Sequence, residues 1–579
     1  MRFVLAIVAF VIGLLLVGLG VAQRTVFAPP SSIVAQTSTT STAPVTVIPG
    51  TVLNANPGYQ RINIADSGAF AAYGKTSDVK AWVGDAEHET LRYDAETSKL
   101  VEKQTGSESS VPDPRGSDLW YQEWDGAGQF TVRLPQDVSM VIVGKDGSTA
   151  APAVSVTWPR DTATPSVGPL MTAGGVFVLG GIVLLVWAFL HQRRSRGPRR
   201  RSGGTRPPRV RASRRAAAAG AQVPTKSRRG RRSLVALPVV VVAALSLAGC
   251  SSEYWPQGGA DAAATATPTA TATGAAQQAE PTAATRQQIN RVVTRVAEVA
   301  TKADADKDAT LAATRFTGPA LELRKANYTI RGKDQDVQAP PAISASDISV
   351  SLPQQTDSWP RTVFVVASDP DDQKTAPQAL TLVQESARDD YKVMYDVSLE
   401  ADAKLPSVAP VSIGAAQLAS DTKLLALAPD QVGTAYGDIL SKDADSEYAK
   451  LFQSDGDDLR AKIGKDYKDK KSAGLPDTAK IEYSSESPDD SAIALATNGA
   501  GALVSVDLNE IEKVTPTADG AEVNTEGAVK ALSGVDSSKK GVSATYGVQL
   551  LFSVPAVGSD DKIVLLGFTQ GLTAASEVQ

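Results

Sequence analysis

The feature that most constrains this chain is a strongly basic block that directly follows an apolar segment. Between His191 and Arg232 the sequence contains sixteen Lys and Arg residues and no Asp or Glu. The whole chain carries a formal net charge of −5, so the remainder carries −21 once these sixteen residues are removed. Such an asymmetry is typical of a basic loop or tail beside acidic, soluble regions.

Two uncharged apolar segments precede the basic block. Residues 3–22 form a run of twenty and residues 170–190 a run of twenty-one, and at 1.5 Å per residue either helix can cross roughly 30 Å of hydrocarbon. Because basic loops stay on the cytoplasmic side, we expect residues 191–232 inside the cell and residues 23–169 outside. The sequence thus predicts a cell-membrane location with the major domains extracytoplasmic.

The first apolar segment has two interpretations. Residues 1–22 are either a transmembrane helix acting as a signal anchor or a signal peptide cleaved after Gly20-Val21-Ala22, where small residues suit the peptidase. The run exceeds the usual apolar core of a signal peptide, and Arg2 is the only basic residue before it. Both observations favour the transmembrane helix.

A third apolar segment, residues 233–250, follows the basic block and ends in Leu247-Ala248-Gly249-Cys250. A basic region, a short apolar run and small residues before the cut form a secretory signal. The four final residues resemble the lipobox of bacterial lipoproteins. That resemblance implies cleavage before Cys250 and acylation of its sulfur, and two or three acyl chains would anchor the new amino terminus stably.

The position of this segment leaves an alternative open. A lipoprotein signal belongs at the start of a chain, so residues 233–250 are otherwise a third transmembrane helix with a chance cysteine at its outer edge. Under either interpretation the residues after Cys250 are expected outside the cytoplasm. The arrangement resembles an actinobacterial-type membrane protein fused to a bacterial lipoprotein.

Residues 23–56 are rich in Ser, Thr, Pro and Val and predict an extended stalk. Residues 57–165 contain short β-branched and apolar runs separated by turn residues, which predict a small all-β, sandwich-like domain. These runs are 59–64, 80–83, 89–93, 129–134, 139–143 and 153–158. Trp120, Tyr121 and Trp124 lie close together in this region. Such a cluster is either a platform that binds carbohydrate or lipid or a part of the domain core, and we favour the core.

Residues 251–285 form a low-complexity linker of Ala, Thr, Gly, Pro and Gln. Two tandem α+β domains are predicted beyond it, at 286–408 and 409–579, each with helices first and an antiparallel sheet second. This order resembles the nuclear transport factor two-like or cystatin-like fold, which implies helices packed on a curved sheet. The expected fold class is therefore a multidomain membrane protein with one all-β domain, two tandem α+β domains and two to three transmembrane helices.

Cys250 is the only cysteine, and His88 and His191 are the only histidines. An intramolecular disulfide and a thiolate zinc site are therefore excluded, and Ser-His-Asp triads are disfavoured. The run from Asp304 to Asp308 fails as a calcium loop, because the loop positions that require Gly and Glu are Ala309 and Arg315. We expect no catalytic residue, cofactor or metal site, and lipidation at Cys250.

The partners expected from the sequence are the lipid bilayer, anionic lipid headgroups at the basic block and, further out, other envelope proteins or glycans. Nucleic acid is not expected, because the basic block lacks interleaved aromatic residues and lies between membrane segments. The predicted function is binding or scaffolding of cell-envelope components by a membrane-anchored protein. The alternative is an envelope enzyme or accessory, related to hydrolases or glycosyl transfer, with an active site inside an α+β cone.

Overall fold

The structure is a computed structural model that describes residues 2–28, 30–37, 42–65, 68–126, 128–147, 149–194, 281–372, 374–488 and 492–579. It shows a mixed α/β protein with several sheets, a carboxy-terminal part made mostly of strands, and two long apolar helices. The chain divides into two compact units, residues 1–33 with 158–273 and residues 34–157 with 274–579. The basic block from Ser195 onward, the apolar segment with Cys250, and the linker up to Glu280 lie outside the described residues.

Helices and strands are numbered here in chain order. The helices are α1 Arg2–Thr25, α2 Gly50–Leu53, α3 Thr76–Val83, α4 Val167–Arg194, α5 Arg286–Asp306, α6 Ala309–Ala312, α7 Gly318–Lys333, α8 Pro429–Lys442, α9 Asp458–Ile463, α10 Lys465–Ala473 and α11 Gly527–Ser533. The strands up to the second apolar helix are β1 Ser32–Gln36, β2 Val45–Ile48, β3 Gln60–Ile64, β4 Phe70–Lys75, β5 His88–Asp94, β6 Lys99–Thr105, β7 Gln122–Asp125, β8 Gly128–Val132, β9 Val138–Val143 and β10 Val154–Pro159. Those that follow are β11 Asp347–Pro353, β12 Arg361–Ser368, β13 Gln378–Gln384, β14 Lys392–Leu399, β15 Gln417–Leu418, β16 Ala479–Glu486, β17 Ile493–Ala496, β18 Ala502–Pro516, β19 Val523–Asn524, β20 Ser537–Ser538, β21 Val542–Val554 and β22 Val564–Glu577.

Helices α1 and α4 are long and apolar enough to cross a membrane, as the two uncharged runs predict. They pack closely where glycines meet: a Cβ added to Gly13 would lie 2.7 Å from Val178 Cγ2, and one added to Gly174 would lie 2.7 Å from Val17 Cγ2. Small residues of this kind let two helix backbones approach, which is the usual basis of helix pairing in an apolar solvent.

Residues 34–157 form the amino-terminal domain, which contains a six-stranded sheet in the order β6-β5-β2-β9-β4-β7 and most of a four-stranded sheet in the order β1-β10-β3-β8. The predicted stalk is wrong at β2, because all four residues Val45-Thr46-Val47-Ile48 are buried in the middle of the larger sheet, parallel to β5 and antiparallel to β9. A β-branched run of this kind suits a strand that is covered on both faces.

The predicted strand at residues 80–83 is also wrong, because these residues end helix α3. Val79, Trp82 and Val83 are buried on one side of that helix, and their spacing of three and four residues is helical. The amino-terminal domain is therefore not purely β.

The carboxy-terminal region, residues 281–579, has a first half, 281–408, in which the helices precede the strands, and a second half, 409–579, in which they alternate: β15 precedes α8, and α11 lies between β19 and β20. In the first half, α5, α6 and α7 precede β11 to β14, and the apolar stripe of α5 packs on β12 and β13 through the core that includes Ile289, Val293, Val365 and Leu382. In the second half, α8 packs on β18 and β21 through Tyr436 and neighbouring apolar residues. Residues 446–457 are turns and irregular backbone, and the short helices α9, α10 and α11 lie further along this half.

All the long strands of both halves belong to one antiparallel sheet. Its order is β11-β12-β13-β14-β22-β21-β18-β17-β15, with β16 also paired to β18. The halves meet where Ser398 and Leu399 of β14 pair with Phe568 and Gly567 of β22. The two predicted α+β segments therefore share a sheet.

This sheet coils back on itself. Thr381 of β13 and Ser505 of β18 are separated in the sheet by three strands, which in a flat sheet would place them roughly 19 Å apart. Their hydroxyl oxygens are instead 2.8 Å apart. The two halves therefore face each other across a shared core that includes Phe364, Leu503 and Leu551.

Candidate functional site

The amino-terminal domain is joined to the carboxy-terminal region by ion pairs that are shielded from solvent. Asp78, in the first turn of α3, accepts a 2.7 Å hydrogen bond from Nη2 of Arg361, the first residue of β12, and their side chains are 1% and 0% exposed. The Arg361 guanidinium lies 3.7 Å above the ring of Trp359, and its Nε donates to the carbonyl of Ser358. A buried charge is tolerated only with such partners.

Asp118 forms a second buried junction. Its fully buried carboxylate lies 3.0 Å from the guanidinium of Arg295 on α5 and 2.5 Å from that of Arg315. It also accepts a 2.9 Å hydrogen bond from the backbone N–H of Tyr391. One carboxylate of the amino-terminal domain thus receives three donors from the carboxy-terminal region.

Backbone carbonyls complete this interface. Arg388 donates from Nε to the carbonyl of Trp82 and from Nη2 to that of Val83, both at 2.9 Å. These carbonyls end helix α3, where a cation is favourable. Gln288 donates to the carbonyl of Leu119 at 2.9 Å. Residues 34–157 and 281–579 therefore form one folded body, in agreement with their membership of one compact unit.

The residues that the sequence predicts to be functional or structural lie in different environments. Cys250, the proposed lipidation site, lies outside the described residues. Trp120 is buried and packs edge to face on Trp82 with 5.5 Å between ring centroids. Trp124 stacks on Phe130 at 4.2 Å and is half-buried. The aromatic residues of this segment are thus divided between a core and a sheet edge.

The helix–sheet cores of the two halves are filled with side chains. Between α5 and the first sheet half, the cavity bounded by Ile289, Val293 and Leu382 measures about 10 Å³, which is at the lower limit for one water molecule. In the second half, the rings of Tyr436, Phe452 and Phe552 pack against one another with centroid separations of 5.1 to 5.8 Å. These two cores hold the sheet in shape.

A larger cavity lies where the two halves meet. It measures about 300 Å³ and lies between α7 of the first half and β22 of the second, with α11 and residues 337–341 at its sides. Asp396 of β14 and Gln549 of β21 line it, and the backbone N–H of Asp396 donates a 2.8 Å hydrogen bond to Gln549 Oε1. Residues of both halves thus line this cavity.

Arg324 organises the charges beside this cavity. Its Nη2 lies 3.1 Å from Asp396 and its Nε 3.6 Å from Asp304, while its guanidinium stacks 3.9 Å from the ring of Phe316. Burial raises the pKa of Asp396, and the charge of Arg324 opposes that rise. Asp304 lies near the end of α5 and accepts a 2.5 Å hydrogen bond from the Tyr328 hydroxyl. One guanidinium therefore stands between the two carboxylates, which do not form an acid and base pair.

The sequence contains one signal for the buried charges around Arg324, a cationic residue at a position of α7 that faces the core. Arg324 follows Ala320 by four residues and precedes Tyr328 by four, and all three are buried on one side of α7. The interface residues Asp78 and Asp118 were missed for a different reason, since their partners lie more than 170 residues away in the chain. Among the residues that the structure describes, no group of three His, Cys, Asp or Glu side chains could hold a metal ion.

The family comparison covers both halves of the carboxy-terminal region together. Residues 280–577 match the family model described as Domain of unknown function (DUF8094). Comparison with curated proteins found no match, and comparison with solved structures found none. The match begins where the first-half helices begin and ends in the last strand, so the family domain is the whole ten-stranded sheet with its helices. The chain belongs to the DUF8094 family of unknown function.

Proposed function

We propose that this chain is a non-enzymatic, membrane-anchored protein of the cell envelope that binds or scaffolds other envelope components. The observation that carries the proposal is the buried junction of Asp78 with Arg361. It makes the amino-terminal domain and the DUF8094 domain a single body, although an apolar helix and the basic block separate them in the chain. Such a body has to lie on one side of a membrane.

The packing also bears on how the chain is threaded. If α4 crosses the membrane and the basic block stays in the cytoplasm, the chain has to cross back before residue 281. Residues 233–250 supply an apolar run for that return. In the proposed topology both domains are extracytoplasmic, the bilayer and anionic headgroups contact the anchors and the basic block, and Cys250 is lipidated at the outer edge.

Two further observations support a binding role over catalysis. Arg324 lies between the carboxylates of Asp304 and Asp396 and pairs with both. The helix–sheet cores, in which the alternative envelope enzyme would have its active site, are filled with side chains. The packing of helices on the sheet in both halves supports a duplicated nuclear transport factor two-like or cystatin-like unit. We infer that kinship for this chain and place its binding region at the junction cavity.

Cysteine accessibility tests the topology. In the full chain with Cys250→Ser, single cysteines replace the exposed residues Lys99 and Lys539 or the basic-block residue Ser202. A membrane-impermeant maleimide on intact cells is expected to label positions 99 and 539 equally, and position 202 only after permeabilisation. Labelling of 99 together with protection of 539 would overturn the proposal.

Processing at Cys250 is tested separately with tags at both ends of the chain and an inhibitor of the lipoprotein signal peptidase. Cleavage predicts two fragments without the inhibitor and accumulation of the full chain with it. One uncut band under both conditions would exclude the lipidated amino terminus and leave residues 233–250 as a third spanning helix.

A further inference from the structure

Strand β16 lies at an edge of the large sheet. It pairs with the second part of β18, from Asn509 to Pro516, in an unbroken antiparallel register, and the other side of β18 is taken by β21. Within the described part of the chain no strand pairs with the outer side of β16. The strand is eight residues long and contains neither proline nor glycine.

The backbone groups on this outer side belong to alternate residues. The N–H of Thr517 donates to the carbonyl of Thr478 at 2.8 Å, and the ladder bonds of an antiparallel pair recur at every second residue from there. The N–H and carbonyl groups of Ile481, Tyr483 and Ser485 therefore point away from β18, while those of the residues between and beside them point toward it. The outward groups are donors and acceptors that a further strand can use.

The opposite edge of the sheet has features that prevent such pairing. Strand β11 has a register break between Ile348 and Val350 and ends in Pro353. Bulges and prolines are among the usual devices that keep the edges of sheets from joining. Because β16 has neither, its edge is a regular template for another strand.

The charges of β16 favour one antiparallel register with a second copy of the same strand. Outward-pointing residues have to face one another across the new contact, which allows Tyr483 to lie opposite its own copy. Lys480 of each chain then faces Glu486 of the other. In the neighbouring registers Glu482 would face either its own copy or Glu486, and like charges directly opposite each other are destabilising.

The geometry of this register also suits the charges. Lys480 and Glu486 are both exposed, and they would form a pair without backbone hydrogen bonds, in which the two Cα atoms are about 4.5 Å apart and the side chains are closest. On the other face of β16, Ser485 and Lys468 of α10 both donate hydrogen bonds to Glu510 of β18. These bonds hold β16 in place, so little ordering is needed before a partner strand pairs with it.

We propose that β16 pairs with β16 of a second copy of this chain, antiparallel and centred on Tyr483, so that two DUF8094 domains share one continuous sheet. Ile481, Tyr483 and Ser485 would each exchange two backbone hydrogen bonds with the partner strand, and a Lys480–Glu486 pair would flank them at either end. The contact uses the same surface of both copies, so it closes as a dimer. The inference goes beyond the binding role proposed above, and a failed topology test would leave it intact.

Sedimentation velocity of the full chain in detergent tests this proposal. The chain carries Cys250→Ser, which blocks processing at the lipobox, and is studied from about 1 to about 100 µM, because a small interface is expected to dissociate in the micromolar range. We expect monomer at the low end of this range and dimer at the high end. Lys480→Glu and Glu486→Lys each create two like-charge contacts and should each weaken the dimer about tenfold. The double variant Lys480→Glu with Glu486→Lys restores opposite charges and should recover the dimer.

Two controls locate the contact. Lys302→Glu makes the same charge change at an exposed position of α5 and should leave the dimer unchanged. Amide hydrogen exchange in a peptide that covers residues 479–486 should slow as the protein concentration rises, because the outward N–H groups become bonded, while exchange in β11 should not change. Circular dichroism of each variant confirms folding.

Three results would overturn the proposal. In the first, the chain sediments as a monomer at about 100 µM. In the second, Lys480→Glu dimerises as strongly as the chain without that substitution, so the contact lies elsewhere. In the third, the double variant is as weak as either single variant, which excludes the register in which Lys480 faces Glu486.

Discussion

Asp78 and Arg361 are 283 positions apart in the chain, yet they form a 2.7 Å hydrogen bond with both side chains excluded from solvent. This pair ties the amino-terminal domain to the DUF8094 domain. Because an isolated buried charge is far more costly than a paired one, each domain presents a residue that is tolerable only when the other domain is docked. The relationship makes the two domains mutually dependent.

Replacing Arg361 with Met should therefore destabilise the protein by about 3 to 5 kcal/mol, since the Asp78 carboxylate stays buried without its cation. The free energy of unfolding of the full chain in detergent, followed by tryptophan fluorescence in urea, measures the loss. Trp359 and Trp82 lie beside this region and report on it. The double variant Asp78→Leu with Arg361→Met should be more stable than Arg361→Met alone, and an equal or larger loss in the double variant would show that the ion pair is not the source.

Asp118→Asn should cost about 1.5 to 3 kcal/mol, because the buried Arg315 and the 29% exposed Arg295 lose a charged hydrogen-bond acceptor, while Arg315 keeps its ion pair with Asp390 at 3.0 Å. Asp113→Asn is the matched control. Asp113 pairs with Arg115 at 3.0 Å, but its side chain is 65% exposed, and exposed pairs contribute about 0 to 1 kcal/mol. Equal effects of the two substitutions on the unfolding free energy would refute the assignment of Asp118 as a buried junction.

The pairing of the apolar helices depends on small residues at their contact. Gly13→Leu or Gly174→Leu should weaken association of α1 with α4 about tenfold, because each added side chain meets the facing helix within 3 Å. Gly18→Leu and Gly180→Leu are controls, since nothing lies within 4 Å of a Cβ at either position. Energy transfer between labelled peptides of the two helices in lipid vesicles reports the association. An equal loss of energy transfer in the contact variants and the control variants would mean that any large side chain on these helices weakens their association.

Glu400 gives the family domain a pH dependence. Burial, together with the nearby charges of Asp457 and Asp458, raises the pKa of Glu400 to about 7. The folded state therefore holds the proton more tightly than the unfolded chain, whose carboxyl titrates near 4.5. The contribution of Glu400 to the free energy of unfolding is fully present below pH 4.5 and is lost as the pH rises through 7. The loss is about 1 kcal/mol, because the group is partly exposed and solvent screening reduces the effect of burial.

Glu400→Gln should remove this contribution, so the free energy of unfolding should fall less between pH 5 and pH 8 than it does in the unmodified chain. Unfolding in urea at several pH values, compared with the exposed control Glu385→Gln, measures the slope. An unchanged slope in Glu400→Gln would assign the pH dependence to another group.

Local patterns predicted much of this fold because their determinants are local. The two apolar runs became α1 and α4, and the runs at 59–64, 139–143 and 153–158 became the strands β3, β9 and β10. In each case the periodicity of the apolar residues matches the geometry of the element. Strand 80–83 failed because four residues cannot distinguish a helical face from a short apolar run.

The site was not predictable in the same way. The junction cavity lies beside the pairing of β14 with β22, where Ser398 meets Phe568, and no pattern near either residue encodes a contact over 170 positions. Val45 to Ile48 were assigned to a stalk because their pairing strands, β5 and β9, lie 40 and more residues further on. Contacts of this kind depend on tertiary packing, which overrides local composition.

Cutting the chain between the amino-terminal domain and the DUF8094 domain shows whether these two distant parts form one body. A specific protease site is inserted between residues 203 and 225 of the full chain with Cys250→Ser, which blocks processing at the lipobox. The protein is solubilised in detergent, cut and captured through an amino-terminal tag at high salt. The carboxy-terminal fragment should stay bound to the captured fragment, and Arg361→Glu should release it because two carboxylates would then face each other in a buried site. Release of the carboxy-terminal fragment without that substitution would show that the two domains do not form one body.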